Sequence, residues 1–149
     1  MPFSHYSQEF IDACNACIAE WEKCAAACKE HISCLKDQDP NRCNIGSEKC
    51  IELCQSCIDA CKKFIAIGRQ HLKTTADKHK DKQVAEHANI EKCIEECEQC
   101  IKACTECIES CEASYDEDDI DKNIKYCNEC ITACQRCIKA CKACLTVLK

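Results

Sequence analysis

Glycine, proline and aromatic residues are scarce in this chain. Its 149 residues include 2 Gly, 2 Pro and only 5% aromatic residues. Because tight turns and β-strands draw on these residue types, their scarcity disfavours a β-rich fold and leaves α-helix as the expected class. No apolar run approaches the roughly 20 residues that a membrane-spanning helix needs. We therefore expect an all-α protein with no membrane partner.

An excess of positive charge is also missing. The formal net charge is −6, and the isoelectric point is near 5.4. This balance disfavours nucleic acid as a partner. The opening MPFSHYSQEF is polar and mixed, unlike the charged and then apolar start of a secretory signal. We therefore predict a reducing, cytoplasmic location.

Cysteine, by contrast, is abundant, with 22 residues in the chain. In a short secreted protein such a fraction would indicate a disulfide scaffold. Disulfide-dense domains are usually rich in loops, however, and this sequence is not. Thiols spaced three or four residues apart on one helix also have poor geometry for bridging. The cysteines are therefore predicted to be free thiols.

The cysteines follow a repeat of seven residues, C-I-x-x-C-x-x. It occurs at Cys57–Lys63, Cys100–Glu106, Cys130–Arg136 and Cys137–Ala143. Steps of three and four place every cysteine on one stripe of a helix, as the a and d residues of a helix bundle are placed. Isoleucine widens this stripe, alanine before many cysteines lets helices approach, and Glu, Lys and Gln fill the opposite face. Cysteine thus stands where leucine normally fills a bundle core.

Three polar breaks divide the chain into segments of similar length, at Lys36–Asn41, Lys73–Lys82 and Ala113–Asp121. In the first break, Asp39 and Pro40 are typical of a helix cap followed by the first helical residue. Short connections between helices of equal length indicate antiparallel neighbours. We predict a single domain over residues 1–149, an antiparallel up-down-up-down four-helix bundle with helices at about 4–35, 41–72, 82–114 and 119–148.

A core made of cysteine suggests metal binding. One or two buried cysteines are ordinary core filler, but this side chain is too small to fill a whole four-helix core at normal density. We therefore expect a poorly packed tube that metal ions occupy. The predicted ligands are all the cysteines and one histidine: Cys14, Cys17, Cys24, Cys28, His31, Cys34, Cys43, Cys50, Cys54, Cys57, Cys61, Cys93, Cys97, Cys100, Cys104, Cys107, Cys111, Cys127, Cys130, Cys134, Cys137, Cys141 and Cys144.

Thiolates are soft ligands that select Cu(I), zinc or iron–sulfur clusters. Structural zinc usually sits between separated turns, and iron–sulfur clusters sit in loops, whereas these cysteines form continuous helical ladders. About one Cu(I) per thiolate would also cancel the buried charge, while a tetrathiolate zinc site keeps a charge of about −2. We predict a store of multiple Cu(I) ions, roughly 20. The alternatives are a zinc or general soft-metal sequestering protein, or a thiol redox buffer.

The ladders Cys50–Cys61, Cys93–Cys111 and Cys127–Cys144, with the cysteines of the first segment, cover nearly the whole chain. In this pattern the chain resembles the copper storage proteins, which are cysteine-rich four-helix bundles that bind many Cu(I) ions. The resemblance implies a cytosolic member and a homo-oligomer of four bundles. The stripe carries no Ser, His and Asp set and the carboxylates are spread along the outer faces, so we expect no catalytic activity. The chain departs from the family in its long Gly68–Ala88 connection, and its only methionine is Met1.

Two positions interrupt the cysteine stripe of the first segment. Trp21 occupies one slot, where we interpret it as a packing spacer. His31 occupies the slot after Cys28 and is a candidate ligand. Cys43 lies on the stripe, seven residues before Cys50, whereas Cys34 lies one residue off it.

Antiparallel pairing predicts two different ends. Phe10, Phe64, Ile90 and Leu148 form one apolar end. The opposite end gathers six candidate ligands, and we hypothesise that ions enter there: Cys28, His31, Cys34, Cys43, Cys111 and Cys127. Three further histidines lie in or beside the lysine-rich break, and we interpret them as solvated loop residues, with a peripheral metal site as the alternative: His71, His79 and His87.

Overall fold

The protein is a bundle of four long helices. A computed structural model describes the backbone of residues 3–37, 40–75, 80–112 and 117–148, and side chains within residues 8–37, 43, 45–73, 87–112 and 119–146. The helices are α1 (Phe3–Asp37), α2 (Pro40–Thr75), α3 (Lys80–Glu112) and α4 (Glu117–Leu148). The described backbone contains no strand. The predicted all-α class is therefore confirmed.

The helices extend further into the polar breaks than the sequence indicated. Helix α2 begins at Pro40, as predicted from the fixed φ of proline, but it continues to Thr75. Helix α3 already begins at Lys80. The predicted long connection from Gly68 to Ala88 is therefore wrong, because most of it is helical. The proposed cap Asp39 lies outside the described residues.

Each helix packs against its two neighbours in a closed square, with contacts between α1 and α2, α2 and α3, α3 and α4, and α1 and α4. The contacts run antiparallel. Cys28 and Cys17 of α1 meet Cys50 and Ala60 of α2, and Cys50 and Cys57 of α2 meet Cys107 and Cys100 of α3. Cys107 and Cys100 of α3 in turn meet Cys127 and Cys134 of α4. The up-down-up-down bundle that the short connections predicted is therefore confirmed.

The cysteine stripe forms the core, and every cysteine is buried. Isoleucines beside the stripe, such as Ile51 and Ile101, are partly buried and pack against it. Small residues let the backbones approach. A Cβ atom on Gly68 would stand 3.1 Å from Cδ1 of Ile94, which shows how closely α2 and α3 pack at this point. Cysteine, isoleucine and alanine therefore share the burial as the heptad pattern indicated.

The apolar end contains Phe10, Phe64 and Ile90, all fully buried. The rings of Phe10 and Phe64 lie 5.4 Å apart between centroids. Leu148, which was also assigned to this end, has a side chain outside the described part of the chain. Three of the four residues therefore confirm the predicted apolar end.

His71 corrects the interpretation of the lysine-rich segment. It was expected to be a solvated loop residue, yet it lies in α2, is 5% exposed and packs 5.3 Å from the ring of Phe10 between centroids. The 3-4 spacing explains this, because His71 continues the stripe seven residues after Phe64. His87 is half-buried, and His79 lies outside the described residues.

Among the helices as described, none combines the length and the apolar character that crossing a membrane requires.

Candidate metal centre

The core thiols form one continuous network of sulfur contacts. Distances between Sγ atoms run from 3.5 Å, for Cys104 and Cys130, to 4.0 Å, for Cys50 and Cys54. Every helix contributes to this network. Its members are Cys24, Cys28, Cys50, Cys54, Cys57, Cys100, Cys104, Cys107, Cys127, Cys130 and Cys134.

The network closes the centre of the bundle. Thiols on the diagonally opposite helices α2 and α4 touch. The Sγ atoms of Cys54 and Cys130 lie 3.9 Å apart, and those of Cys57 and Cys134 lie 4.0 Å apart. These distances are close to van der Waals contact between sulfur atoms. The expectation of a poorly packed tube is therefore wrong here, because the four helices approach until the small thiols meet.

The same spacing suits metal binding. Five groups of three or four cysteines have all their Sγ atoms within 4.8 Å of one another. With a metal–sulfur bond of about 2.3 Å, ligand sulfurs stand about 3.8 Å apart in a tetrahedral site and about 4.6 Å apart in a linear one. The groups therefore need little movement to accept an ion. They comprise Cys24, Cys28, Cys54 and Cys130; Cys24, Cys57, Cys104 and Cys134; Cys28, Cys50, Cys54 and Cys107; Cys50, Cys107, Cys111 and Cys127; and Cys57, Cys61 and Cys100.

These groups share members. Cys50 and Cys107, for example, both belong to two of the four-thiol groups. Separate tetrathiolate sites cannot all be filled at once when they share ligands. The arrangement instead favours thiolates that bridge neighbouring ions in one cluster.

The remaining predicted ligands lie outside these groups. Cys17 donates to the carbonyl oxygen of Ala60 at 3.3 Å, and Cys141 contacts the carbonyl of Cys14 at 3.6 Å. These two thiols thus donate their hydrogen bonds to backbone carbonyl oxygens and not to other thiols. The predicted ligands that no group contains are Cys14, Cys17, His31, Cys34, Cys43, Cys93, Cys97, Cys137, Cys141 and Cys144.

Trp21 separates the cysteines of α1 that belong to these groups from those that do not. Its side chain is fully buried, and its indole Nε1–H donates to Sγ of Cys61 at 3.2 Å. It also packs edge-on against Phe64, with ring centroids 6.4 Å apart. Trp21 thus fills its slot as the predicted spacer and also binds a core thiol. Cys24 and Cys28 lie on the grouped side, and Cys14 and Cys17 lie toward the apolar end.

At the opposite end, polar side chains replace the apolar residues. His31 is fully buried, and its Nε2 lies 3.1 Å from Nδ2 of Asn123. The Oδ1 atom of Asn123 accepts from Ser110 at 3.1 Å. It also accepts from the thiols of Cys111 and Cys127, both at 3.5 Å. We call the set His31, Ser110, Cys111, Asn123 and Cys127 the polar end.

Asn123 and Ser47 were missed by the sequence analysis. Asn123 is 1% exposed and Ser47 is 5% exposed, and Ser47 donates to the carbonyl oxygen of Cys111 at 3.0 Å. The signal was present in the spacing, since Asn123 stands four residues before Cys127 and Ser47 three residues before Cys50. Ser47 falls between Cys43 and Cys50, and Asn123 precedes the first cysteine of α4, so continuing the steps of three and four through these positions identifies both.

Cys34 and Cys43 lie beside this end in a small cluster with Leu35, apart from the main core. Cys43 donates to the carbonyl oxygen of Cys34 at 3.2 Å. The position of Cys34 at the edge of the stripe is therefore confirmed. Both cysteines are close to the polar end without belonging to the thiol network.

Burial changes the acid–base properties of several of these groups. Desolvation, followed by repulsion from Cys97, raises the pKa of Cys17 to about 12. Desolvation also lowers the pKa of His31, which favours its neutral form. Within the network, hydrogen bonds with thiol neighbours raise the pKa of Cys104, that with Cys100 being the strongest. The same kind of bond, from Cys104 first, stabilises a thiolate at Cys24 and lowers its pKa. An ion binding to Cys17 or Cys104 must therefore displace a proton.

The buried polar residues include no lysine or arginine. Among the described residues they are His31, Ser47, His71 and Asn123. A cluster with a large negative charge would thus have no buried cation nearby to offset it, and an uncompensated buried charge is costly. The core accordingly favours metal ions that leave it close to neutral.

Comparison with models of protein families, with curated proteins and with solved structures found no match to this chain. Its function must therefore be argued from its own residues.

Proposed function

We propose that this protein stores Cu(I) in the cytoplasm by binding many ions to the thiolates of its core, without catalysing a reaction. The observation that carries this proposal is the set of overlapping thiol groups in the core. Among the described residues, no lysine or arginine is buried beside them. One Cu(I) per thiolate leaves the core neutral, and bridging thiolates let ions occupy overlapping groups. Soft thiolate ligands also favour monovalent copper.

Zinc is the main competitor. Four thiolates around Zn²⁺ carry a net charge of −2, and no buried lysine or arginine appears among the described residues to balance several such sites. A thiol redox buffer is less favoured, since reactive cysteines need exposure and every thiol here is buried. The resemblance to copper storage proteins, which is carried by the spacing of the cysteines, agrees with this proposal.

Anaerobic titration of the reduced protein with Cu(I), in competition with a strong Cu(I) chelator, tests the proposal. We expect uptake of about one ion per thiol, or roughly 20 ions. A parallel titration with Zn²⁺ serves as the control. Saturation near five ions with zinc preferred would instead identify a zinc protein. Loss of thiols to peroxide without any metal uptake would identify a redox buffer.

The shared thiols provide a second prediction. Replacing Cys50 and Cys107 together by alanine removes two ligands from each of two four-thiol groups. Because each thiolate bridges ions on both sides, we expect this variant to lose about twice as many Cu(I) ions as the control. Metal content after gel filtration measures the difference.

The matched control replaces Cys17 and Cys141 by alanine. These thiols are equally buried, contact backbone carbonyls and belong to none of the groups. Equal losses of copper in the two double variants would show that the overlap of the groups does not organise the ions.

A further inference from the structure

One nitrogen of a buried histidine at the polar end has no partner. The Nε2 atom of His31 lies against Asn123, but its Nδ1 atom is buried with no hydrogen-bond partner among the described residues. Leaving such an atom unsatisfied destabilises the folded state. A buried group of this kind calls for an explanation.

The unpartnered nitrogen faces Gly46 of α2. A Cβ atom on this glycine would stand 3.1 Å from Nδ1 of His31 and 3.5 Å from Sγ of Cys34. Any residue other than glycine would place an atom at this point. Both the imidazole nitrogen and the thiol sulfur therefore border the point that the missing side chain of Gly46 leaves open.

This space lies below the outer surface of the bundle. A groove of about 720 Å³ runs between α1 and α2, and its lining includes Cys34, Gly46, Lys23 and Lys49. Cys34 itself is 3% exposed. Cys34 and Gly46 therefore lie between the groove and the buried ring of His31.

We propose that His31 Nδ1 and Cys34 Sγ form a two-coordinate Cu(I) site beneath Gly46, outside the thiol network. Imidazole nitrogen and thiolate sulfur both bind Cu(I), and two ligands suffice for a linear site. The site rests on the proposed function, since it takes the same ion as the core. It also accounts for the unpartnered nitrogen and for the glycine.

The hydrogen bonds around Asn123 show where the protons go. In the metal-free protein, the thiols of Cys111 and Cys127 donate to Oδ1, so Nδ2 donates to Nε2 of His31. A neutral imidazole that accepts at Nε2 carries its proton on Nδ1. Before Nδ1 can bind an ion, its proton must leave and Nε2 must gain one.

Metal binding at Cys111 and Cys127 allows this change. As thiolates they no longer donate to Asn123 and instead accept from its amide nitrogen. The amide then turns, and its oxygen accepts a hydrogen bond from the Nε2–H group of His31. His31 stays neutral throughout. Cys34 releases its thiol proton to solvent, and one Cu(I) binds to the resulting thiolate and to Nδ1 of His31. The outer site is thus expected to fill after these two thiols.

The substitution Gly46→Ala tests the site. It places a methyl group within 3.5 Å of both ligand atoms, and it removes a helical glycine, which favours the helix. Gly68→Ala is the matched control, because it lies in the same helix and its Cβ would also stand 3.1 Å from a side-chain atom, which here belongs to Ile94 and not to a proposed ligand.

Nitrogen NMR of the histidine side chains reads out the result. On anaerobic loading of the unaltered protein with Cu(I), we expect the proton of His31 to move from Nδ1 to Nε2. Gly46→Ala should abolish this change and lower the copper content by one ion, while Gly68→Ala should leave both as they are. Cys34→Ala should abolish the change, and Cys17→Ala should retain it.

A loaded protein in which His31 keeps its proton on Nδ1 would overturn the proposed site. So would a Gly46→Ala variant that matches Gly68→Ala in both copper content and nitrogen signals. If the core fills while His31 is unchanged, this site alone is refuted. If no variant takes up Cu(I), the storage function itself is refuted.

Discussion

Saturation with Cu(I) is expected to raise the melting temperature of the reduced protein by about 25 °C or more. Each ion that binds only the folded state adds about 2.7 kcal/mol when its free concentration is 100 times its dissociation constant. Five such ions would add about 13 kcal/mol, and each kcal/mol shifts the melting temperature of a protein of this size by about 2–4 °C.

The structure explains why binding should be tied to folding. The group of Cys24, Cys57, Cys104 and Cys134 takes one thiol from each of the four helices. An unfolded chain keeps its CxxC pairs but cannot bring these four sulfurs together. Some binding to the pairs would reduce the gain, since ligand bound by the unfolded state does not stabilise the fold.

Anaerobic circular dichroism during heating measures the effect, with the metal-free protein as reference. The variant that lacks Cys50 and Cys107 should gain less stability on loading than the variant that lacks Cys17 and Cys141. If the loaded and metal-free proteins melt at the same temperature, the ions do not join the helices, and the proposed core sites are wrong.

Acidification is expected to weaken copper binding by about tenfold per pH unit for each ion that displaces one proton. The sign follows from the raised pKa of Cys17, about 12, and from the raised pKa of Cys104. Below its pKa a thiol is protonated, so Cu(I) must displace the proton, and a higher proton concentration opposes binding. Between pH 8 and pH 6 the dissociation constant should therefore rise about 100-fold.

Competition with a chelator of known pH dependence measures this change, and a pH-stat titration counts the protons released. Cys24 offers an internal contrast, because its pKa is lowered and an ion bound there displaces less of a proton. An affinity that does not change between pH 8 and pH 6 would mean that the core thiols are already ionised in the metal-free protein.

The heptad spacing was sufficient to predict the bundle. Steps of three and four fix which face of each helix is buried, whatever residue occupies it. The same spacing placed Trp21 and His31 in the core and predicted the apolar end. These features could be predicted because they depend on one helix at a time.

Where composition was weighed above spacing, the prediction failed. The lysine-rich segment suggested a loop, but the stripe continues through Phe64 to His71, and burial against Phe10 follows from that register. Asn123 is a similar case, because it continues the same spacing four residues before Cys127, the first cysteine of α4. In both cases the polar residue lies at a position that the spacing of three and four residues assigns to the core.

The closure of the core could not be predicted from one helix at a time. The distance of 3.9 Å between Cys54 and Cys130 depends on how closely diagonal helices approach. The space beneath Gly46 likewise depends on the angle of the His31 ring on a neighbouring helix. Interactions of this kind appear only when the four helices are placed together.

Trp21 gives the protein an optical reporter of its own. It is the only tryptophan in the chain, and its indole N–H lies 3.2 Å from the sulfur of Cys61. An ion on Cys61 would take electron density from that sulfur and place a heavy atom beside the indole. A change in tryptophan fluorescence during loading would therefore report when copper binds at Cys61, relative to the ions that bind on either side of it.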